Sequence, residues 1–584
     1  MTTFASAPTA STGTLSSNLT TKGGLADKVQ MQHKLFAELS SMFGKEVPMY
    51  DGALLVNRVT NTAVCDLLTK LHKGFSITPE LVDRTSGERH GAIRIGRPDE
   101  YRWIGRFFAQ FAMEPHNFYD MTSVGAKSQP IIATAFRSAV NPEHRVFSSV
   151  LMTDYFEPGT RERIEKILAP RQVFSDKAKM LIEKGEKQGG LDWNDATDLI
   201  KEGTERIFKW TGQARDYQLY KDLCDGGFKI AADIACFERH HLNHLTPNTF
   251  CMDLYTAAMK FCLAEIDESH FRMRAGLALS RLRTFADRDY MRLSFRHLTQ
   301  EQLDSFTPGS VSDAEINLLV DSLVKRLSLD DAKLSRLKHN GFKDFTEGPS
   351  EDTPVLLRQD AYKALTEPVT FTNPDGTTTN AGHTARFGEI EQRFYAATPT
   401  GRELYDRCLT TADAAREKDP SLPKKDFAKY EALYAEPFKP FPKTLKGLVE
   451  AGLVRAKYFA TAKGKASKGG ITTTDLKQLI AEGYVRFEGL RYEDFLPVSA
   501  AGIFASNLNQ YGTKSTAAVK PTYMQAMLEK ILGRSIISSD EAYLGMESKS
   551  ILETYEALGL LGKLNATQKA ELEAAASKAP REIH

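Results

Sequence analysis

The apolar positions of the chain change period several times along its 584 residues. Each change marks an element. Between 26 and 43, Val29, Leu35, Phe36, Leu39 and Phe43 recur at helical spacing and predict the first helix. Residues 51–73 mix the two signals and fit a helix or a strand edge. From 89 to 96 the pattern alternates, with Ile93 and Ile95 on one face and His90, Ala92 and Arg94 on the other. That predicts a strand bounded by glycine. Residues 101–113 read as helix, and 129–137 and 145–156, rich in Val, Ile, Thr and Phe, read as strands. Helical periodicity dominates 160–263 and returns over 313–337. Asn373-Pro374-Asp375-Gly376, inside a threonine-rich stretch, marks a loop or hairpin over 367–383. Strand character returns at 385–395, 484–495 and 498–504, and helix from 522 onward. The lysine-rich stretch 462–470 reads as a flexible, solvated loop. Strands and helices mix without regular βαβ alternation, which favours α+β over a doubly wound sheet.

Charge narrows the function. Lys and Arg number 76 and Asp and Glu 75, a formal net charge of +1. This argues against a basic nucleic-acid reader and against a polybasic membrane binder. No apolar run approaches the roughly 18–20 residues a membrane-spanning helix needs. The six cysteines form no C-x-x-C pair, so neither a disulfide framework nor a thiolate zinc site fits, and a reducing, cytoplasmic setting is expected. Residues 1–24, rich in Ser, Thr and Ala, read as a disordered tail; an organelle-targeting peptide is the alternative, but the stretch has no arginine. Glycine-rich phosphate loops, the G-x-S-x-G elbow and H-E-x-x-H are all missing from the sequence.

Three segments carry candidate chemistry. His90 and Arg94 share a strand face, about 13 Å apart at roughly 3.3 Å per residue. They offer a metal-binding nitrogen and a carboxylate fork, or else a core histidine and a structural ion pair. His240, His241 and His244 cluster before Pro247, as metal ligands or as a surface histidine cluster. His240 and His244 would share a face of a helix at i,i+4, or His244 sits where the helix gives way before the proline. Glu389 and Glu391 would point to one face of a strand, where two buried acids need a cation, or else the strand lies at the surface. Two histidines and one carboxylate from distant segments match the facial triad of mononuclear non-heme iron oxygenases, although any globular chain of this size can supply such a set.

The segments ERHGAIRIG at 88–96, GAKSQPIIATAFR at 125–137, HLNHLTP at 241–247, GEIEQR at 388–393 and LPVSAAGIF at 496–504 together resemble the 2-oxoadipate dioxygenase/decarboxylase family, also called 2-hydroxyglutarate synthase. The resemblance implies a vicinal-oxygen-chelate-like fold, in which a central curved β-sheet or partial barrel encloses the metal, with large helical insertions and a helical C-terminus. Applied to this chain, it implies a metal-dependent oxygenase domain over 25–520, with insertions near 160–235 and 313–340, and a helical extension over 521–584. It implies Fe(II) as cofactor, held by His90, His244 and Glu391, with Glu389 as the alternative to Glu391. Arg94 would grip the substrate, and Val498 and Ser499 would contact it. The implied partners are a 2-oxo diacid and O2. The implied reaction, a step of lysine degradation, converts 2-oxoadipate and O2 to 2-hydroxyglutarate and CO2. Its atoms balance without a nicotinamide, in keeping with the missing nucleotide motifs. Phe394 stands where the family pattern expects glycine. Competing expectations are an oxygenase for another 2-oxo acid, a zinc hydrolase using the same ligands, and a non-catalytic protein of the same fold.

Overall fold

The computed structural model describes residues 23–87, 89–123, 128–139, 142–343, 345–496 and 521–580. It opens with helices α1 (Lys28–Glu46) and α2 (Pro48–Leu71). The Asp27 side chain caps α1 by accepting from the Gln30 amide at 2.8 Å, and Leu35, Phe36, Leu39 and Phe43 form its buried stripe. The ambiguous stretch 51–73 is almost wholly helix α2, whose Pro48 occupies the first turn, where no intrahelical N–H bond is lost.

Strands β1 (Arg89–Ile95), β2 (Glu114–Asp120), β3 (Ile131–Arg137), β4 (His144–Leu151) and β5 (His244–Pro247) form one sheet, in the order β2-β3-β4-β1-β5. β1 and β4 are parallel and the other neighbours antiparallel. Ile93 and Ile95 are fully buried on one face of β1, and His90 and Ala92 are buried on the other. A second pair, β6 (Leu357–Tyr362) and β7 (Gly388–Arg393), is antiparallel. β7 runs beside β5: the Phe387 amide donates to Asn243 O at 3.4 Å, and the Thr249 amide to Glu391 O at 2.8 Å. The two sheets thus meet edge to edge. Among the described residues the strands stay open and close no barrel, and the architecture is mixed α+β.

Helices fill the stretch before β5: Pro158–Leu168, Asp176–Gln188, Trp193–Glu202, Tyr217–Asp225 and α3 (Lys229–Cys236). A further helix, Asp313–Leu327, precedes β6, and Thr366–Thr372 and Thr378–Thr384 form the expected hairpin. Near the C-terminus, α4 (Ser539–Leu558) is tied to the segment after the sheets. Tyr543 Oη donates to Asp494 Oδ2 at 2.6 Å and accepts from the Glu493 amide at 2.9 Å. None of the described helices is long and apolar enough to cross a membrane.

Two expectations are corrected. His240 and His244 share no helix face. α3 ends at Cys236, and the chain beyond it is extended because its backbone pairs with β1, the Asn243 amide donating to Ala92 O at 3.0 Å. The lysine-rich stretch is not a free loop. Ala462–Ala466 forms a helical turn whose Lys463 Nζ donates to Glu482 O at 2.6 Å. Phe394, in place of a glycine, is 2% exposed in an apolar cluster with Tyr395 and Tyr405, so the side chain has somewhere to pack. Val498, Ser499 and the strand expected at 498–504 lie outside the described residues.

Gly388 opens β7 for a steric reason. A Cβ there would lie 2.2 Å from Tyr362 Cε1, on the residue paired with it across β6. Gly388→Ala is expected to destabilise the fold by about 1–3 kcal/mol through overpacking, read as a lower urea midpoint at unchanged slope. An unchanged midpoint would mean that the Tyr362 ring swings aside without cost.

Candidate metal centre

Adjacent strands bring the donors together. In the β1–β5 register Ala92 faces His244 and His90 faces Thr246, so the two histidines lie diagonally on one face. β7, on the other side of β5, adds Glu389. His90 Nε2 lies 3.1 Å and His244 Nε2 3.4 Å from Glu389 Oε2. The three donor atoms all lie within 4.8 Å of one another. All three side chains are buried. Phe387 stacks on His244 with ring centroids 4.9 Å apart, and Phe495 meets His90 edge-on at 5.0 Å. These rings shut water away from the donors.

Glu391, expected as the third donor, stands elsewhere. It lies on the same strand face but about 6.6 Å farther along at the strand rise. Its Oε2 is 2.9 Å from His90 Nδ1, on the opposite side of the imidazole. Both its oxygens are also bound by Arg393, through Nε at 2.8 Å and Nη2 at 3.0 Å, and Arg145 Nη1 approaches at 3.6 Å. A carboxylate engaged in this way has no oxygen aimed at His244. Glu389, by contrast, accepts from Thr246 Oγ1 on Oε2 at 3.0 Å, while its Oε1 has no hydrogen-bond partner among the described residues.

The electrostatics follow this geometry. Burial pushes His244 down to about 4, with Glu389 opposing and His90 and Arg94 adding to the shift. The ring is therefore neutral at pH 7, and a lone pair is available. Burial alone would raise Glu389 and Glu391. Instead, His244 and His90 lower Glu389, and Arg393, His90 and Arg145 hold Glu391 well below the carboxylate range. Burial also opposes charge on His90, but the carboxylates on its two ring nitrogens outweigh it and raise the pKa. A cation at Nε2 would answer the same negative charge as that proton.

This donor set fits a divalent metal. Both nitrogens of His244 and Glu389 Oε1 are buried without a hydrogen-bond partner among the described residues, a costly state that a metal ion would relieve. Two imidazoles and one carboxylate on one face suit non-heme Fe(II) and also serve zinc. A second group, His33, Glu143 and His144, also brings its donors within 4.8 Å. It reads as a hydrogen-bond chain, with His33 Nδ1 3.1 Å from His144 Nε2 and His33 Nε2 3.4 Å from Glu143.

Arg94, one strand repeat beyond Ala92 on the same face, reaches Asp233 on α3 rather than the carboxylates of β7, with Nη1 2.6 Å from Oδ2. The other two histidines of the 240–244 cluster are structural partners of acids. His240 Nε2 lies 3.3 Å from Glu100, which Arg171 also holds, and His241 Nε2 lies 3.2 Å from Asp233. Sequence reasoning missed Thr246, Arg145, Phe387, Phe495 and Asp233. Arg393 was within reach, because it is two residues from Glu391 on one strand face. Arg145 carried no such signal.

The chain matches the model of the 2-oxoadipate dioxygenase/decarboxylase family over residues 35–267 and 311–507. It is 33% identical over 537 residues to the 2-oxoadipate dioxygenase/decarboxylase of Pseudomonas putida, covering 90% of this chain and 96% of that protein. It is 30% identical over 535 residues to the protein of that name from Escherichia coli, covering 90% and 97%. The crystal structure of the Pseudomonas putida hydroxyglutarate synthase in complex with 2-oxoadipate superposes with a TM-score of 0.62 at 30% identity, covering 92% of this chain and 100% of that one. On the extent of the family match and of these identities, the chain belongs to the 2-oxoadipate dioxygenase/decarboxylase family.

Proposed function

We propose that the protein is an Fe(II)-dependent oxygenase that converts 2-oxoadipate and O2 to 2-hydroxyglutarate and CO2. The observation that carries this reading is the buried cluster of His90, His244 and Glu389, with its unpartnered donors, in a chain of this family. The open sheet that carries the three donors is the vicinal-oxygen-chelate-like scaffold. Bound there, Fe(II) supplies the redox chemistry by which O2 oxidises a 2-oxo acid.

The surrounding residues each have a task. His90, His244 and Glu389 would hold the metal. Glu391 Oε2, 2.9 Å from His90 Nδ1, would favour the tautomer that presents Nε2 to the metal. Arg393 and Arg145 keep Glu391 ionised for that purpose. Thr246 orients Glu389 through Oε2. Phe387 and Phe495 exclude water around the histidines. Arg94 binds the far carboxylate of the diacid as a two-pronged donor, away from the reacting end.

Three outcomes follow. Fe(II)-reconstituted protein given 2-oxoadipate should consume one O2 per 2-hydroxyglutarate formed, and both should vanish with a chelator; iron-loaded protein that forms no product would end the substrate assignment. Glu389→Gln should abolish iron loading, whereas Glu391→Gln should retain the site with affinity lowered about 10–100-fold. Metal analysis giving the reverse order would return the ligand role to Glu391. Arg94→Ala should cost about 2–5 kcal/mol in kcat/KM by leaving the substrate carboxylate unpaired. A loss below about tenfold would remove Arg94 from substrate recognition.

A further inference from the structure

Two buried histidines have no part in the metal centre, and both face one carboxylate. Asp233, 1% exposed on α3, uses Oδ2 for Arg94 at 2.6 Å. Its Oδ1 lies 3.2 Å from His241 Nε2 and 3.2 Å from His383 Nε2. The support extends outward. Tyr220 Oη and His383 Nδ1 are 2.8 Å apart, Trp210 meets His241 edge-on at 4.7 Å, and Phe237 packs on His383 at 4.5 Å. Four separate segments therefore meet at one carboxylate, β1, α3, the extended run before β5 and the Thr378–Thr384 strand, with the Tyr217–Asp225 helix behind His383.

An ion pair kept only for stability would not need this much machinery, since replacing such a pair with apolar residues is often neutral or better. Arg94 explains the arrangement. Its hydrogen bond to Asp233 through Nη1 is the only one it makes among the described residues, and its side chain is 9% exposed. One prong of a rigid fork is fixed, and the remaining N–H donors are free to take a second carboxylate.

We propose that Asp233, flanked by His241 and His383, is the positioning residue that aims Arg94 and thereby sets the preference for 2-oxo acids with a terminal carboxylate. This rests on Arg94 being the substrate anchor, and the test separates the two claims. Zn(II)-loaded protein, which binds without turnover, is titrated calorimetrically with 2-oxoadipate and with 2-oxohexanoate, a 2-oxo acid of equal length that ends in a methyl group. The native protein should prefer the diacid at least about tenfold, as expected of a site built around a buried polar contact. Arg94→Ala should abolish the preference. Asp233→Asn should reduce it about tenfold toward the Arg94→Ala value, while 2-oxohexanoate binding stays within about twofold of native.

A native preference in Asp233→Asn, or equal weakening for both acids, overturns the proposal. A preference that survives Arg94→Ala, or is missing from the native protein, overturns the anchor reading instead. Thermal melting checks each variant. If Asp233→Asn does not fold, His383→Phe should lower the preference and His383→Gln, whose amide reaches the Nε2 position, should restore it. Equal preferences in those two variants overturn the proposal as well.

Discussion

Two carboxylates are buried side by side on one face of β7, and the charge they bring has to be answered from within the protein. Glu391 is answered by Arg393 and Arg145, and His90 stands between Glu391 and Glu389 with one ring nitrogen toward each. That leaves Glu389 with an unpartnered oxygen beside a neutral, unpartnered His244. In a low-dielectric interior such groups are stable only with a cation among them. The proposed metal centre is thus the remainder of a local charge balance that the arginines complete only on one side.

The same constraint shapes the rest of the site. Donors on three neighbouring strands need those strands in fixed register, and the tight approach of Tyr362 to Gly388 helps to set the start of β7. Farther along β1, the Arg94–Asp233 contact repeats the pattern of a buried charge held by partners from several elements.

Much of the architecture was legible in periodicity. The Leu35–Phe43 stripe, the alternation of β1 and the Asn-Pro-Asp-Gly hairpin all became the elements they predict, because each pattern reflects a face that must be buried locally. The 240–244 histidine cluster misled for an instructive reason. Its i,i+4 spacing suits a helix, but Asn243 pairs with β1, a contact remote in sequence, and the pairing pulls the segment out into a strand. The lysine-rich stretch forms a turn capped by Thr461, whose side chain accepts from the Gly464 amide, and Lys463 reaches Glu482 O.

For the site, sequence by itself determined the residue types and the faces: His90 and Arg94 on one side of β1, His244 before Pro247, and two glutamates on one side of β7. Alternation on a strand fixes a face, but it does not fix which residue along that face meets a partner from another strand. Only the tertiary structure places Glu389 beside both His90 and His244, because that depends on how far β7 is shifted beside β5, and only it brings Arg145, from a strand more than two hundred residues away, to Glu391. It also decided that His241 serves Asp233 rather than a metal. Periodicity is a property of neighbours in the chain, whereas the pairing of buried charges depends on neighbours in space.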